Sequence, residues 1–539
     1  MFPTTPDRAT FKALATQGNV IPVCREILAD METPVSAFKR LAHRPNAFLL
    51  ESVEGGERLA RYSFLGSDPR VVLRSRGTSV TLTERGKTRL IPLAKGEDPL
   101  HVLEAELAKV KFVETPNLPR FVGGAVGYIG YDWVRFLEPI GQKTHDDLDL
   151  DDVYLMLTDT LCIFDHVKHR IVVLANAHVE PGDDLDAAYD TACEKVEDMI
   201  GALRAPIPDL MGMPSKRNSV PPPWESNLTR AHYEEMLTTA KEYISGGDII
   251  QAVLSQRFSR PYEGDAFDVY RALRSLNPSP YMFFLKFEDG PILVGASPEI
   301  LCTVEERTVR VRPIAGTRKR GETPEEDTAL EAELLADEKE RAEHIMLVDL
   351  GRNDIGRVCE YGSVKVTDLM VIEKYSHVMH IVSNVCGKLR SEVTPMDVLR
   401  ATFPAGTLSG APKVRAMQII ESLEPTRRGV YGGAIGYFSY NGNLDASITI
   451  RTAVIHNGKV HVQAGGGIVA DSQHAAEFEE TVNKSAAARR AVEFAEAGLD
   501  TVPVLAEVVE GRFSRLEIIE PQQQTNLPPT PLRQAKGGF

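Results

Sequence analysis

The stretch AGGGIVADSQHAAEFEETVNK, residues 464–484, decides between two fold classes. Its GGGIVA formally fits the G-x-G-x-x-A turn of a dinucleotide-binding unit, which would make the chain a doubly wound parallel α/β protein. The helix that follows, however, begins only near Asp471 or Ser472, and no acidic residue stands about 20 positions on to hold a ribose. The nucleotide reading fails, and a helix is expected over 473–496. On it Glu477, Glu480 and Lys484 fall at i, i+3 and i+7 and share one face. Like charges so spaced cost a helix roughly 0.3 kcal/mol. Solvent, a basic partner or a bound cation must offset them.

A second segment, DEKERAEHIMLVDL (337–350), repeats the offset with Glu340 and Glu343. A single E-x-x-E is ordinarily a solvated helix face, but both pairs here are set among apolar or small residues. Four converging carboxylates suit a hard cation such as Mg²⁺, which takes one or two of them and keeps waters and substrate oxygens. The remaining chemistry lies in glycine-punctuated stretches: GASPE (295–299), RPIAGTRKRG (312–321), DLGRND (349–354), HVMH (377–380), FPAGTLSGAPK (403–413), GVYGGAIGY (429–437) and ITIRTA (448–453). Glycines let backbone N–H groups approach an anion, and a neighbouring Thr or Arg completes a carboxylate clamp. Arg451, within an apolar strand, calls for an anionic partner. His380 taken alone reads as a hydrogen-bonded core residue. GKT at 86–88 is a decoy, because Thr81 stands where a phosphate loop needs glycine.

Further outward, residues 8–40 are expected to be helical, with strands at AFLLESV (47–53) and RYSFLG (61–66). Alternating apolar and polar residues make 70–93 an antiparallel meander. Helices over 99–112 and 185–203 flank two long strands within 151–177, broken near Asp165. Pro, Ser and Gly density marks 205–227 as a linker or long loop, and Thr229 caps the next helix. GGAVGYIGYD (123–132) and GGAIGYFSYN (432–441) echo each other, as two glycine-rich strands in similar surroundings would. The expected organisation is an N-terminal domain over 1–204, a linker over 205–228, a larger domain over 229–497 and an extension over 498–539. The extension ends in PQQQTNLPPTPLRQAKGGF, compositionally a disordered tail.

With 539 residues, 43% hydrophobic and 25% charged, the chain has the composition of a soluble globular enzyme. A formal charge of −15 argues against general affinity for nucleic acid or anionic membrane. No apolar run approaches the roughly 18 residues of a spanning helix, and the N-terminus lacks the regions of a signal peptide. The six cysteines form no CxxC pair, which suits reduced thiols and a cytoplasmic protein.

Taken together, PIAGTR, DLGRND, GTLSGAPK and GGGIVADS followed by E-x-x-E-x-x-x-K closely resemble the chorismate-utilising enzymes, and among them the anthranilate synthase large subunits, over roughly residues 20–500. The resemblance implies an α+β fold: antiparallel sheets packed together and flanked by helices, with an N-terminal regulatory domain. It implies chorismate as substrate and Mg²⁺ as cofactor. Glu343 and Glu480 match the metal ligands, with Glu340 and Glu477 as second carboxylates acting through water. Gly316, Thr317, Thr407 and the amides of Gly465, Gly466 and Gly467 match positions holding substrate carboxylate, and Tyr431 and Arg451 those gripping the enolpyruvyl carboxylate. Glu299 is the expected general acid and His380 the candidate for positioning or proton transfer. Lys484 would balance the carboxylates or order water.

Two positions separate reactions within the family. Ala315 stands where aminodeoxychorismate synthases commonly carry a lysine nucleophile. Gln251 stands where isochorismate and salicylate synthases typically use a lysine to activate water, and an amide cannot serve as that base. Both imply an external ammonia nucleophile. No cysteine sits in the G-x-C-x-G turn of a glutaminase, so ammonia is expected from a separate glutamine amidotransferase subunit in a hetero-oligomer, a heterotetramer by expectation. Glu51, Ser52, Asn277, Pro280, Tyr281 and Met282 match a feedback pocket for tryptophan. The alternatives are an aminodeoxychorismate synthase, which Ala315 disfavours, and a catalytically silent tryptophan-binding regulatory subunit.

Overall fold

The computed structural model describes residues 3–53, 61–207, 221–375, 378–499 and the backbone of 518–519. Two large sheets dominate it. The first runs, strand beside strand, Val20–Leu28, Arg170–His178, Thr160–Asp165, Tyr62–Gly66, Ala47–Glu51, Tyr281–Lys286, Ile292–Ser297, Thr452–His456, Lys459–Ile468, Gln251–Pro261 and Trp224–Ser226. The second runs Ile314–Lys319, Val378–Lys388, Thr308–Val311, Ile300–Glu305, Leu444–Ile448, Ala434–Ser439, Gly124–Ile129, Val153–Thr158, Val71–Arg76, Ser79–Glu84 and Lys87–Pro92, with Lys365–Lys374 on the outer side of Val378–Lys388. These neighbours are antiparallel, as the alternation in 70–93 requires.

Period-two alternation sorts side chains into layers. In AFLLE, Phe48 points between the sheets and Leu49 to the far side. Phe48, Phe64 and Phe283 of the first sheet meet Tyr128, Tyr154 and Tyr437 of the second in one aromatic core. Phe121 stacks on Tyr437 at 4.3 Å between ring centroids. The far face of the first sheet is covered by helices Pro34–Leu41, Leu185–Arg204, Ala266–Leu276 and His474–Glu496. That of the second is covered by Pro99–Leu107, Glu338–Gly356 and Pro395–Thr402. The result is a helix–sheet–sheet–helix sandwich.

The glycine echo has a structural meaning. Gly127 and Gly436, the fifth residues of the two repeats, pair directly with each other, so a local two-fold relates the repeats. A Cβ on Gly436 would lie 2.0 Å from Asp445 O, and one on Gly127 equally close to Tyr154 O.

Several expectations are corrected. The helix over 8–40 is interrupted by the strand Val20–Leu28, whose nine residues pair along their whole length with Arg170–His178; Pro22 breaks a helix there and Val20, Ile21 and Val23 favour a strand. Residues 151–177 hold three strands, because the chain crosses from the second sheet to the first between Thr158 and Thr160. The helix from Pro99 ends at Leu107. Both sheets take strands from either side of 205–228, Ala47–Glu51 pairing with Tyr281–Lys286 and Gly124–Ile129 with Ala434–Ser439. The expected boundary thus separates stretches of sequence that share sheets. Most of the linker and nearly all of the extension after 498 lie outside the described residues.

Candidate active site

The chain passes from the first sheet to the second at Pro298–Glu299, between Ile292–Ser297 and Ile300–Glu305. It returns at Thr449–Arg451, between Leu444–Ile448 and Thr452–His456. Ile448 N–H donates to Glu299 O at 3.0 Å and ties the two passages together. Beside them opens a cavity of about 670 Å³.

Glu299 is 8% exposed. Its Oε1 accepts from Thr407 Oγ1 at 3.1 Å. Burial pushes this carboxyl up to about 8, against the opposing pulls of the Thr407 hydroxyl and Lys484. It therefore keeps its proton at neutral pH. Arg451, at a left-handed φ of 53°, donates to Lys484 O, and among the described residues no carboxylate lies within ion-pair distance of it. Burial pulls its guanidinium below the usual value. A half-buried guanidinium on a cavity wall without a counter-ion is a seat for an anion. His380 Nδ1 donates to Gly316 O at 2.9 Å, with Thr317 Oγ1 at 3.0 Å. Burial lowers its pKa, so the ring is neutral and its Nε2 is an acceptor.

The four glutamates come from two helices. Asp337 caps Glu338–Gly356 by accepting from Lys339 N and Glu340 N, which sets Glu340 and Glu343 in the first turns, on the cavity wall. Gln251 Nε2 donates to Glu343 Oε1 at 3.0 Å. On His474–Glu496, Lys484 Nζ reaches Glu480 Oε1 at 2.6 Å and Gly465 O at 3.2 Å. Ser472 Oγ donates to Glu477 Oε1 at 2.7 Å, while Glu477 Oε2 is buried without a hydrogen-bond partner. Burial raises the pKa of Glu340, helped by Glu343 next door. Burial likewise raises Glu477, with Glu480 adding to it and Ser472 opposing. A Cβ on Gly316 would lie 3.3 Å from Glu340 Oε2, and one on Gly466 3.2 Å from Glu477 Oε2. Each carboxylate thus lies over a glycine.

Among the described residues no three of His, Cys, Asp and Glu gather closely enough to hold a metal ion by themselves. The carboxylates stand as two pairs on one cavity. The all-oxygen donors, the orphaned Glu477 Oε2 and the mutual repulsion within each pair fit a hard dication that completes its shell from waters and ligand oxygens. Magnesium meets that description.

The cavity gathers Gln251, Glu299, Gly316, Thr317, Glu340, Glu343, His380, Thr407, Tyr431, Arg451, Gly465, Gly467, Glu477, Glu480 and Lys484, with Ala315 beside them. Gly466 is turned from it toward Glu477. A separate cavity of about 40 Å³ gathers Glu51, Ser52, Pro280, Tyr281 and Met282. Ser52 Oγ is buried there without a partner. Asn277 does not line it; it ends the helix Ala266–Leu276, its Nδ2 3.4 Å from Ser279 Oγ. Sequence reasoning missed Gln463 and, behind the wall, Ser255, Glu424 and Arg428, whose partners come from four segments. Glu424 and Arg428 stand four apart, but no local pattern ties them to Ser255, Gln463 or the cavity.

The family model for chorismate binding enzymes matches residues 47–490. An anthranilate synthase component 1 from Pseudomonas putida is 50% identical over 91% of this chain and 99% of its own length. One from Acetivibrio thermocellus is 48% identical over 92% and 99%. Among solved structures, anthranilate synthase component I from Streptococcus pneumoniae TIGR4 superposes with a TM-score of 0.70 at 38% identity, covering 86% of this chain and 98% of that one. The menaquinone-specific isochorismate synthase from Escherichia coli shares the fold, with a TM-score of 0.66 at 18% identity over 90% and 98%.

Proposed function

The chain belongs to the chorismate-binding enzymes, and from that premise we propose that it is the large subunit of an anthranilate synthase, turning chorismate and ammonia into anthranilate and pyruvate. The observation that carries this reading is Glu299, a buried carboxyl bonded by Thr407 and pushed up to about 8. It stands on the wall of a cavity that also presents Arg451, which has no carboxylate within ion-pair distance among the described residues.

Arg451 and Tyr431 grip the enolpyruvyl carboxylate. Gly316, Thr317, Thr407 and the amides of the glycine strand hold substrate carboxylate. Bound by Glu343 and Glu480, with Glu340 and Glu477 behind them, Mg²⁺ would supply the charge that brings a dianion onto an acidic protein. Ammonia forms a bond to ring C2, the diene electrons shift, and the C4–O bond breaks. Glu299 gives its proton to the departing hydroxyl, which leaves as water, and the ammonium formed on C2 gives up one proton, which restores the balance. Removal of the C2 proton then drives cleavage of the enolpyruvyl C–O bond, and the ring becomes aromatic as pyruvate leaves with one added proton. His380 Nε2, an acceptor in the neutral ring, is the candidate for moving a proton in this half. Ala315 and Gln251 leave the protein without a lysine nucleophile or base at either position, in keeping with ammonia as the attacking group.

That ammonia comes from a separate glutamine amidotransferase subunit, in a heterotetramer in this reading. Tryptophan would bind at the Ser52–Tyr281 cavity. Feedback works by favouring the state of the protein that binds tryptophan better.

The test is anthranilate fluorescence from the purified chain with chorismate, Mg²⁺ and an ammonium salt at mildly alkaline pH. Turnover lost to EDTA and inhibited by tryptophan supports enzyme, cation and regulation together. A different product from chorismate would overturn the subfamily assignment that rests on Ala315 and Gln251. Tryptophan binding without turnover would make the chain a silent regulator.

A further inference from the structure

One residue outside the cavity lining holds three of its walls. Arg428 is 3% exposed and Glu424 6%. The guanidinium grips Glu424 twice, Nη2 to Oε1 at 2.7 Å and Nε to Oε2 at 2.8 Å. Its remaining reach is spent on backbone: Nη1 donates to Leu408 O and Nη2 to Val253 O, each at 2.6 Å. Its Cζ lies 4.6 Å from the Tyr131 ring centroid and 5.7 Å from that of Tyr431. Glu424 Oε1 also accepts from Ser255 N and Ser255 Oγ, each at 2.8 Å, and Gln463 Nε2 donates to that hydroxyl at 2.9 Å.

Each tie ends one residue from the chemistry. Leu408 follows Thr407, the donor to Glu299. Val253 and Ser255 pair with Gly467 and Gly465 of the glycine strand. A Cβ on Gly465 would lie 2.9 Å from the Tyr431 hydroxyl. A buried ion pair contributes little net stability against an apolar substitute of the same shape, because both charges lose their water. It does impose geometry, since the planar fork fixes carboxylate and carbonyls in one arrangement.

We infer that Arg428, locked by Glu424, is a positioning residue that holds the Thr407 hydroxyl on Glu299 and sets the glycine strand against Tyr431. It touches no reacting atom. The inference rests on the reading of Glu299 as the acid of anthranilate synthesis.

The test compares wild type, Arg428→Lys, Thr407→Val and the double variant for ammonia-dependent anthranilate formation across pH, with folding followed by circular dichroism. Lysine keeps the charge but cannot make the fork. Losing the Thr407 donor removes a pull that lowers the Glu299 pKa, so the basic limb of the kcat profile should move to higher pH in both single variants. The other charged and titratable groups on the cavity stay in place: Lys484, Arg451, His380 and Lys339, with Glu340, Glu343, Glu477 and Glu480, and Arg312 and Asp354 in the small space behind Glu299. For Arg428→Lys, kcat should fall roughly 10- to 100-fold, part of the 10²–10⁴ a positioned acid supplies, with KM for chorismate changed less than about threefold. The double variant should show no further displacement of the limb. A kcat loss with the limb unmoved, or a second displacement in the double variant, overturns the inference. If Arg428→Lys does not fold, Glu424→Gln replaces it, with the same expected limb and the same refuting outcome. A wild type that forms no anthranilate refutes the functional reading itself, which the variant comparison keeps separate.

Discussion

Replacing Glu299 by glutamine should make the protein less active and more stable, with a gap that depends on pH. Burial holds this carboxyl at about 8, against 4.5 for an ordinary glutamate. In the unfolded chain it ionises near 4.5; in the fold it stays protonated to about 8. The stability of the wild type that comes from the neutral acid is complete below pH 4.5 and is lost as pH rises through that window. Each pH unit removes about 1.4 kcal/mol, so at pH 8 and above the loss reaches on the order of 5 kcal/mol as an upper bound. Glutamine does not titrate, and its amide oxygen can accept from Thr407 as the acid does. Urea unfolding should therefore find Glu299→Gln within about 1 kcal/mol of wild type at pH 5, and clearly more stable at pH 8. Its kcat should fall by about 10²–10⁴, and wild-type kcat should decline as pH rises through about 8. An equal stability gap at pH 5 and pH 8 would refute the buried neutral acid, whatever the activity shows.

Other perturbations follow from the same geometry. Arg451→Gln removes a charge-assisted contact worth about 1.5–3 kcal/mol, so KM for chorismate should rise roughly 10- to 100-fold in steady-state kinetics with kcat changed far less; an unchanged KM would remove Arg451 from the carboxylate seat. Glu480→Gln should raise the Mg²⁺ concentration needed for half-maximal activity by at least about tenfold, read by metal titration, and a parallel Mg²⁺ response would count against that ligand. Gly436→Ala would place a Cβ 2.0 Å from the Asp445 carbonyl, so its unfolding free energy should fall by about 3 kcal/mol or more, measured by urea midpoint.

Much of the site was legible before any coordinates. The two E-x-x-E offsets predicted shared helix faces, and both pairs line one cavity. Arg451 was expected to need an anion, and among the described residues it has no carboxylate within ion-pair distance. The helix expected over 473–496 is His474–Glu496. The rejected nucleotide turn is the end of a strand, with Gly465–Gly467 paired to Val253–Ser255. What failed was reading where non-local pairing rules. VIPVCREIL does carry breaking signals, Gly18 ahead of it, Pro22 within it and β-branched Val20, Ile21 and Val23 around that proline, and a helix over 8–40 gives them too little weight. What sequence could not show was its partner Arg170–His178, about 150 residues away. Asn277, which the resemblance gave as a support of the second pocket, stays off its wall and bonds Ser279 at the end of its helix.

The sequence by itself determined the residue types, their spacing on each helix and the glycines that let backbones meet, because those depend on a few neighbouring positions. Only the tertiary structure decided that the sheets share strands from both halves of the chain, that the two glycine repeats pair around a local two-fold, and that Glu299 is buried enough to stay protonated. It alone decided that Arg428 spans Glu424, Leu408 and Val253. Burial, and the pKa it sets, depends on what the rest of the chain packs against a group, and no local spacing carries that information.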